Sequence, residues 1–476
     1  MVTIKRLDDL KIEENNPFDN DELNRVDCAE NLTTLIQASE SPLVLAVNAP
    51  WGMGKSTFIK MWQQQLINKG HLTLYFNTWE NDHCEKPMIS FISEIGNLLG
   101  TLKLSKSDDS ILSGKYEKVK KASFKVLKKI IPLGVKFATS GIIDIDPETD
   151  KSLDKFAEKF AEDSINEYQD MKNTIASFKN ELADFANTVF EDDNTIQKPI
   201  VIFIDELDRC RPSFAIELLE NVKHLFSVPG FVFVLGIDNE QLGHSIKSIY
   251  GSGMDSDGYL KRFFDLEFKL PDPDPELFAK FLSKKFKFKN YFKDGDSKQV
   301  FSEPHLVNTF VSFSKKYSLS LRAQVKCFIQ LNIAIGVISG NDDIYPCYLT
   351  FLILLKNSEP EKYNKLTKEL TFGAFDSGSI NDLYDEIGFT EEFKQTAECQ
   401  QVKAILCVTF LKQEAVQIIR NNLKNIMVNA SISKEENKNA GLLLDLINTY
   451  EKVPDFRKIQ EKLVTKIEFS LNFKQD

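Results

Sequence analysis

The sequence predicts an α/β protein with a mostly parallel central sheet, a long helical insertion and an α-helical C-terminal domain. A glycine-rich turn at residues 48–57 lies between an apolar run and a segment with apolar residues at helical spacing. Two further runs, Ile200–Ile204 and Phe231–Ile237, consist of apolar β-formers without polar alternation. Such runs are typical of parallel strands that are buried on both faces. Beyond Pro275 the pattern is mainly helical.

Composition limits the classes of protein to which the chain can belong. Its 476 residues suit two to four domains. A formal net charge of −11 argues against a protein that coats nucleic acid through bulk charge, although local basic patches remain compatible with it. The seven cysteines show no CxxC spacing, so we expect reduced thiols and a cytoplasmic location. No window approaches the ~20 apolar residues of a membrane span, and residues 1–20 are too polar for a signal peptide.

Four regions follow from these patterns. Residues 1–99 are expected to be a leader and the first half of a nucleotide-binding core, and residues 199–275 its second half. Residues 100–198 form the predicted helical insertion, and residues 276–476 a helical lid and C-terminal domain. In the leader, Leu23–Arg25 is predicted either to contact a nucleotide base or to belong to a solvated helix.

The glycine-rich turn has the order strand, loop, helix that a phosphate-binding loop requires. Gly52 and Gly54 allow backbone amides to point at phosphate oxygens without side chains in the way. The helix that begins at Lys55 adds its own unpaired N–H groups. Lys55 is expected to reach the β- and γ-phosphates of ATP, and the Ser56 hydroxyl to ligate Mg²⁺. Ala49 replaces the usual first glycine, with little expected loss of binding.

An acidic pair closes the next long apolar run, about 150 residues after the loop. Asp205 and Glu206 stand at the carboxyl end of the predicted strand, where ligands bind in open α/β sheets. We expect Asp205 to hold Mg²⁺ through water and Glu206 to polarise the attacking water. The pair is weak evidence alone and strong evidence together with the loop.

Three other polar residues are candidates for phosphate contacts. Asp238 follows a buried strand and could sense the γ-phosphate, or it could cap the next helix, and the two roles are compatible. Arg262 could reach a phosphate of its own subunit or of a neighbour, or it could form a surface ion pair. Arg322 lies in the first turn of a helix, where it opposes the macrodipole, which favours a lid that brings it to the nucleotide.

Two segments have competing interpretations. Apolar residues in the insertion repeat at alternating spacings of three and four, which predicts either a projecting coiled-coil hairpin or a helix packed on the same domain. These residues are Tyr168, Met171, Ile175, Phe178, Leu182, Phe185 and Val189. Lys284–Lys289 interleaves basic and aromatic residues, which suits either a nucleic-acid contact or an amphipathic segment with solvated lysines.

The residues of the loop and of the acidic strand carry a family resemblance. Ala49–Ser56 resembles the tryptophan-containing phosphate loop of the KAP P-loop NTPases, and Phe76–Trp79 is similar to their second motif. Ile204–Cys210 resembles their acidic-strand signature, and the likeness covers about residues 16–275 plus Leu321 and Arg322. It implies an additional-strand ATPase sheet related to AAA+ and STAND ATPases. Many such proteins carry membrane helices in the insertion, whereas this sequence resembles soluble bacterial members.

Together the motifs and the resemblance predict an ATP-hydrolysing switch or assembly motor that works with an effector or sensor protein. The alternatives are an ATP-binding scaffold with little turnover and an ATPase stimulated by nucleic acid. Resemblance implies a role in anti-phage defence or plasmid-linked exclusion, and a homo-oligomer is compatible with it. The expected catalytic residues are Glu206, Lys55, Asp205 and Arg262. The expected nucleotide-binding residues are Trp51, Gly52, Met53, Gly54, Lys55, Ser56, Thr57, Asp238 and Arg322.

Overall fold

A computed structural model of the chain describes residues 11–39, 42–105, 110–139, 169–170, 172–188, 198–292, 301–338, 345–369, 389–429 and 431–471. It divides into two compact units, one formed by Leu10–Pro271 and the other containing Asp272–Asp476. The division falls at the start of the proline-rich segment Pro271–Pro275.

The first unit is built on a five-stranded sheet whose neighbouring strands all run parallel. Its strands are β1 (Leu43–Asn48), β2 (Thr73–Asn77), β3 (Ile200–Asp205), β4 (Phe231–Ile237) and β5 (Leu266–Lys269). Their spatial order is β2-β3-β4-β1-β5. Strand β4 therefore separates the loop strand from the acidic strand, which is the additional-strand arrangement of P-loop NTPases.

The central strands β1, β3 and β4 are buried on both faces, which explains their uninterrupted apolar runs. Alternate residues of β1 point to opposite layers: Val44 and Ala46 pack in one core, and Leu45 and Val47 in the other. Strands β3 and β4 divide their residues between the two cores in the same way. The prediction that Ile200–Ile204 and Phe231–Ile237 are strands buried on both faces is therefore confirmed.

Eight helices of the first unit lie within its described residues. They are α1 (Val26–Gln37), α2 (Lys55–Asn68), α3 (Pro87–Ser105), α4 (Ser110–Thr139), α5 (172–188), α6 (Pro212–Val222), α7 (Asn239–Tyr250) and α8 (Ser256–Leu260). Helix α6 begins at Pro212, whose fixed φ suits the first turn, and Arg211 precedes it without a side-chain cap.

The described part of the insertion packs on its own unit. Phe178, Leu182 and Phe185 of α5 are buried in the same core as Phe91 of α3 and Val119 of α4. This is the second of the two packing alternatives rather than a projecting hairpin. The remaining positions of the repeat at 168, 171 and 189 lie outside the described residues.

The second unit is helical throughout its described residues. Its α-helices are Pro275–Lys285, Glu303–Lys316, Leu321–Ile338, Pro346–Ser358, Pro360–Asn364, Glu391–Lys394, Ala397–Phe410, Gln413–Val428, Lys434–Glu451 and Phe456–Leu471. Phe286 and Phe288 are buried and stack on Phe328, whereas Lys287 is exposed. These rings belong to the core and are not free to stack on bases, which favours the amphipathic interpretation of Lys284–Lys289. Across the described parts of both units, none of the helices has the length and apolarity needed to cross a membrane.

Candidate nucleotide site

The loop between β1 and α2 has the geometry of an anion cradle. Gly52 and Gly54 both adopt φ 78°, a left-handed conformation that is costly for residues with a Cβ. Gly54 precedes α2 without any side-chain cap, so the first amides of the helix keep their hydrogen-bonding capacity for a ligand. The N–H of Ala49 donates to the Ile237 carbonyl at 3.1 Å, and Ala49 has no positive φ. A glycine is therefore not needed at that position.

The loop is fixed from behind by a residue of the leader. Arg25 is 3% exposed, and its guanidinium donates to the carbonyl oxygens of Met53 and Pro271, each at 2.9 Å. One arginine thus joins the phosphate loop to the chain that follows β5. Arg25 itself has neither of the two predicted roles, because its side chain is buried and its guanidinium is hydrogen-bonded to backbone carbonyls. A base contact by Leu23 or Asn24 stays a prediction.

Asp205 ends β3 and is completely buried. Its Oδ1 accepts a hydrogen bond from the Glu206 amide, and its Oδ2 accepts one from the Tyr75 hydroxyl, both at 2.9 Å. Burial raises the pKa of the Asp205 carboxyl, and hydrogen bonds from Ser56 and Tyr75 oppose that shift. A carboxylate in this setting gains from a nearby cation, as a metal site requires.

Space for this carboxylate depends on a glycine in the neighbouring strand. Gly236 pairs with Asp205 across β4 and β3. A Cβ at Gly236 would lie 2.3 Å from Asp205 Oδ1 and 2.5 Å from the Ile59 side chain. The break in the apolar run of β4 was the available sequence signal for such a close approach.

Glu206 occupies an unusual backbone position beside the loop. Its φ of 64° is left-handed, at a cost of roughly 1–2 kcal/mol for a residue with a Cβ. One carboxylate oxygen, Oε1, accepts a hydrogen bond from Ser56 Oγ at 3.2 Å and pairs with Arg209 Nη1 at 2.9 Å. The guanidinium of Arg209 in turn lies over the ring of Trp79 at 5.6 Å. Strain of this kind clusters at functional sites, where the surroundings must maintain it.

Lys55 is buried against the protein's own acceptors. Its Nζ donates to the Ala49 carbonyl at 3.2 Å and lies 3.6 Å from Asp208 Oδ2. Burial lowers the pKa of Lys55. The carboxylates of Asp208, Asp205 and Asp238 act in the opposite direction, in that order of size.

Asp238 has the predicted capping role and a second contact with the loop. Its Oδ1 accepts hydrogen bonds from the amides of Glu240 and Gln241 at the start of α7. Its Oδ2 accepts one from the Trp51 amide at 2.9 Å. Because β4 lies between β1 and β3, Asp238 also stands where the γ-phosphate hypothesis needs it. That sensing role stays a prediction.

Three of the predicted residues are exposed, and their contacts with a nucleotide stay predictions. Thr57 is exposed on α2, and Arg262 is exposed with no ion pair to any residue in the ranges given above. The surface ion pair considered for Arg262 is therefore absent from the described residues, and its phosphate role stays a prediction. Arg322 belongs to the second unit, where it is exposed at the start of Leu321–Ile338. Sequence reasoning missed Tyr75, Asp208, Arg209 and Gly236.

The residues present fit a nucleotide with Mg²⁺. The loop offers amides and a lysine to phosphates, and Ser56 with Asp205 offers oxygen donors to a hard cation. Within the described part of the chain, no cluster of three or more His, Cys, Asp or Glu side chains could hold a metal alone. The oxygen donors of Ser56 and Asp205 suit Mg²⁺, which keeps waters and takes phosphate oxygens as its other ligands.

Known proteins give three points of comparison. Over 178 residues the chain is 24% identical to the phage T7 exclusion protein of Escherichia coli (strain K12), a match that spans 36% of this chain and 22% of that protein. The Aeropyrum pernix ORC2 structure, of ADPNP–ADP complexes, is 11% identical with a TM-score of 0.34, over 90% of this chain and 94% of its own. The Drosophila ORC structure, bound to poly(dA/dT) DNA and Cdc6, is 13% identical with a TM-score of 0.27. That match covers 95% of this chain and 71% of the Drosophila chain.

The chain therefore spans about a fifth of the phage exclusion protein that it matches. Both TM-scores are too low to inform the site. The KAP family P-loop domain, in contrast, matches residues 25–335, which include the loop, the acidic strand and all five strands of the sheet. With that match and this strand order, the chain belongs to the KAP family of P-loop NTPases.

Proposed function

We propose that the protein is an ATP-hydrolysing switch whose nucleotide state is read by a partner protein. One contact carries the proposal: Ser56 of the phosphate loop donates to Glu206 of the acidic strand at 3.2 Å, across 150 residues of sequence. A phosphate cradle and a carboxylate suited to activate water therefore share one cleft. That combination is what phosphoryl transfer to water needs.

In the proposed complex the amides of the loop and of the first turn of α2 bind the β- and γ-phosphates. Lys55 adds a positive charge at the same oxygens. Ser56 and Asp205 would hold Mg²⁺, which supplies neutralisation of the phosphate charge when bound. The remaining ligands of that ion would be waters and phosphate oxygens.

Hydrolysis is then assigned to Glu206 as the general base. Its carboxylate orients a water whose oxygen forms the new bond to the γ-phosphorus, while the bond from that phosphorus to the β–γ bridging oxygen breaks. The proton of the water passes to the carboxylate. In the resting arrangement Glu206 Oε1 is held by Arg209, so the carboxylate either exchanges that partner or accepts the proton on Oε2.

The Arg209 contact also favours the second candidate function, an ATP-binding scaffold or sensor with little turnover. A base that stays paired with an arginine hydrolyses slowly, and the bound state would then persist as the signal. Both candidate functions use the same nucleotide site, and they differ in the rate of ATP hydrolysis.

We also propose a role in phage defence together with an effector or sensor protein, in the cytoplasm. Its support is the similarity to a phage exclusion protein, which covers a minor part of that protein. This chain, with its proposed nucleotide site, would supply the switch, and the partner would supply the action on the phage. The defence role is tested by phage plating on cells that carry the wild-type or the Glu206→Gln chain with its native neighbours.

The enzymatic proposal is tested with Glu206→Gln on the purified full chain. We expect the variant to bind MgATP as tightly as the wild type and to lose hydrolysis by about 100-fold or more, as removal of a general base does. Glu240→Gln is the matched control, because this glutamate is exposed on α7. Hydrolysis that survives Glu206→Gln would overturn the assignment. If phage protection survives while hydrolysis stops, the scaffold is the correct function.

A further inference from the structure

Asp208 is the buried acid that the proposed mechanism leaves without a role. It lies on the short turn Leu207–Arg209 that follows β3, and its side chain is 1% exposed. Its Oδ2 lies 3.6 Å from Lys55 Nζ and also accepts a hydrogen bond from the Trp51 indole. Its Oδ1 is buried with no hydrogen-bond partner in the described residues. An unpartnered buried carboxylate oxygen is costly, so its presence beside an anion cradle needs a cause.

The contacts of Asp208 tie together two parts of the phosphate loop. Trp51 belongs to the loop itself, and Lys55 is the first residue of α2. Lys55 is the cation expected to meet phosphate, yet here it is engaged by Asp208 and by the Ala49 carbonyl. A phosphate group can gain Lys55 only by competing with this carboxylate.

Electrostatics set the direction of that competition. Asp208 contributes the largest charge interaction that stabilises the ammonium of Lys55, ahead of Asp205 and Asp238. A fixed negative charge in a water-poor site also repels a polyphosphate. Both effects lower the affinity for a nucleotide, and the competition for Lys55 weighs most on a diphosphate, which offers the ammonium no γ-phosphate oxygens.

We propose that Asp208 is a positioning residue that competes with nucleotide phosphates for Lys55 and so promotes the release of ADP. The inference rests on the proposed ATPase function and deepens it. After hydrolysis and loss of phosphate, the diphosphate holds Lys55 less strongly than the triphosphate did. Asp208 then recovers the ammonium, and the loop returns to the arrangement seen here.

The test is Asp208→Asn, which keeps an oxygen to accept from the Trp51 indole and removes the charge that holds Lys55. We expect MgADP to bind about tenfold more tightly, the size of effect when one charged competitor within a site is removed. Binding of MgATP tightens less. In steady state KM and kcat fall together, because ADP leaves more slowly. A merely structural role for Asp208 would instead weaken binding and raise KM.

A double-mutant cycle with Lys55→Ala assigns the effect to this pair. In the Lys55→Ala background, Asp208→Asn should tighten ADP binding by less than threefold, since the contested cation is gone. Asp208→Glu retains the charge and should bind ADP as weakly as the wild type. Asp257→Asn is the matched control, because Asp257 forms an exposed ion pair with Lys261 in the same unit. Titration calorimetry with MgADP and MgATP gives each affinity.

Each outcome separates the two proposals. If the wild type binds no nucleotide, the proposed function fails and the role of Asp208 falls with it. If the wild type binds and a folded Asp208→Asn binds ADP no more tightly, only the role of Asp208 is overturned. If that variant does not fold, Asp208→Glu decides: ADP binding tenfold tighter than in the wild type would overturn the role, because the charge has been retained.

Discussion

Replacing Gly236 by alanine should damage the candidate site although the substitution removes no charged group. Gly236 lies on β4, paired with Asp205 on one side and Val47 on the other. The added Cβ would lie 2.3 Å from Asp205 Oδ1, and Cβ atoms essentially never approach another atom within 3.0 Å, so the carboxylate must retreat by roughly 0.7 Å. The added Cβ cannot instead move away from Asp205, because the Ile59 side chain lies 2.5 Å from the same Cβ position.

The magnitude follows from what holds the carboxylate in place. Overpacking a buried site costs about 1–3 kcal/mol. Asp205 also accepts two hydrogen bonds at 2.9 Å, from Glu206 and Tyr75, and a displaced carboxylate loses much of at least one of them. One such bond is worth about 1.5 kcal/mol or more. We therefore expect the free energy of unfolding to fall by about 2–4 kcal/mol.

The effect on turnover should exceed the effect on stability. A displacement approaching 1 Å in a reacting group costs on the order of 100-fold in rate. Urea denaturation measures the free energy of unfolding. Single-turnover hydrolysis of MgATP, at a temperature where the variant is folded, measures the effect on the reaction. Gly96→Ala in α3 is the matched control, since a Cβ there meets nothing within 4 Å. The control should gain about 0.5–1 kcal/mol of helix stability and keep full activity. A Gly236→Ala protein with wild-type stability and turnover would refute the reasoning.

Three further substitutions test the surroundings of the same carboxylate and of the loop. Tyr75→Phe removes a hydrogen bond that lowers the pKa of Asp205, so the acidic limb of the pH–hydrolysis profile should move to higher pH, and an unmoved limb contradicts this. Asp205→Asn should abolish Mg²⁺-dependent hydrolysis yet raise the melting temperature of the ligand-free protein. Because burial raises the folded pKa of Asp205, its charge destabilises the fold above that pKa, and the gain should vanish on acidification toward pH ~4. Arg25→Met removes two hydrogen bonds, to Met53 and Pro271. The free energy of unfolding, measured by urea denaturation, should fall by about 2–3 kcal/mol, and calorimetry should show weaker nucleotide binding. Unchanged values would show that the arginine is dispensable.

The sheet was largely predictable because its sequence signals are local. Strands β3 and β4 are runs of apolar β-formers that only a doubly covered sheet accommodates, and both appear within a residue of their predicted bounds. The phosphate loop was equally clear, since glycine, lysine and serine must stand at fixed offsets between a strand and a helix. Side-chain partners were harder to foresee. Tyr75 meets Asp205 only because β2 lies beside β3, and no local pattern states that order.

The insertion shows where periodicity stops being informative. The three–four spacing correctly marked an apolar face, because Phe178, Leu182 and Phe185 are all buried. Periodicity predicts that such a face is buried, but it does not identify the residues that pack against it. Here the cover is the core of the same unit, with Phe91 and Val119 as neighbours, so the coiled-coil interpretation was wrong for the described helix.

Charge explains why the turn after β3 was the hardest part to predict. Sequence reasoning gave roles to Asp205 and Glu206, whereas Asp208 and Arg209 entered only as part of the signature Ile204–Cys210, without roles of their own. In the structure these two residues hold the two groups on which hydrolysis would depend: Asp208 pairs with Lys55, and Arg209 pairs with Glu206. The charges of this site are already paired with one another. An anion alone that bound Lys55 would leave Asp208 unpaired, and a cation alone that bound Glu206 would leave Arg209 unpaired. We infer that the ligand must bring phosphates for Lys55 and a cation for the freed carboxylates together, and a magnesium–nucleotide complex meets both demands.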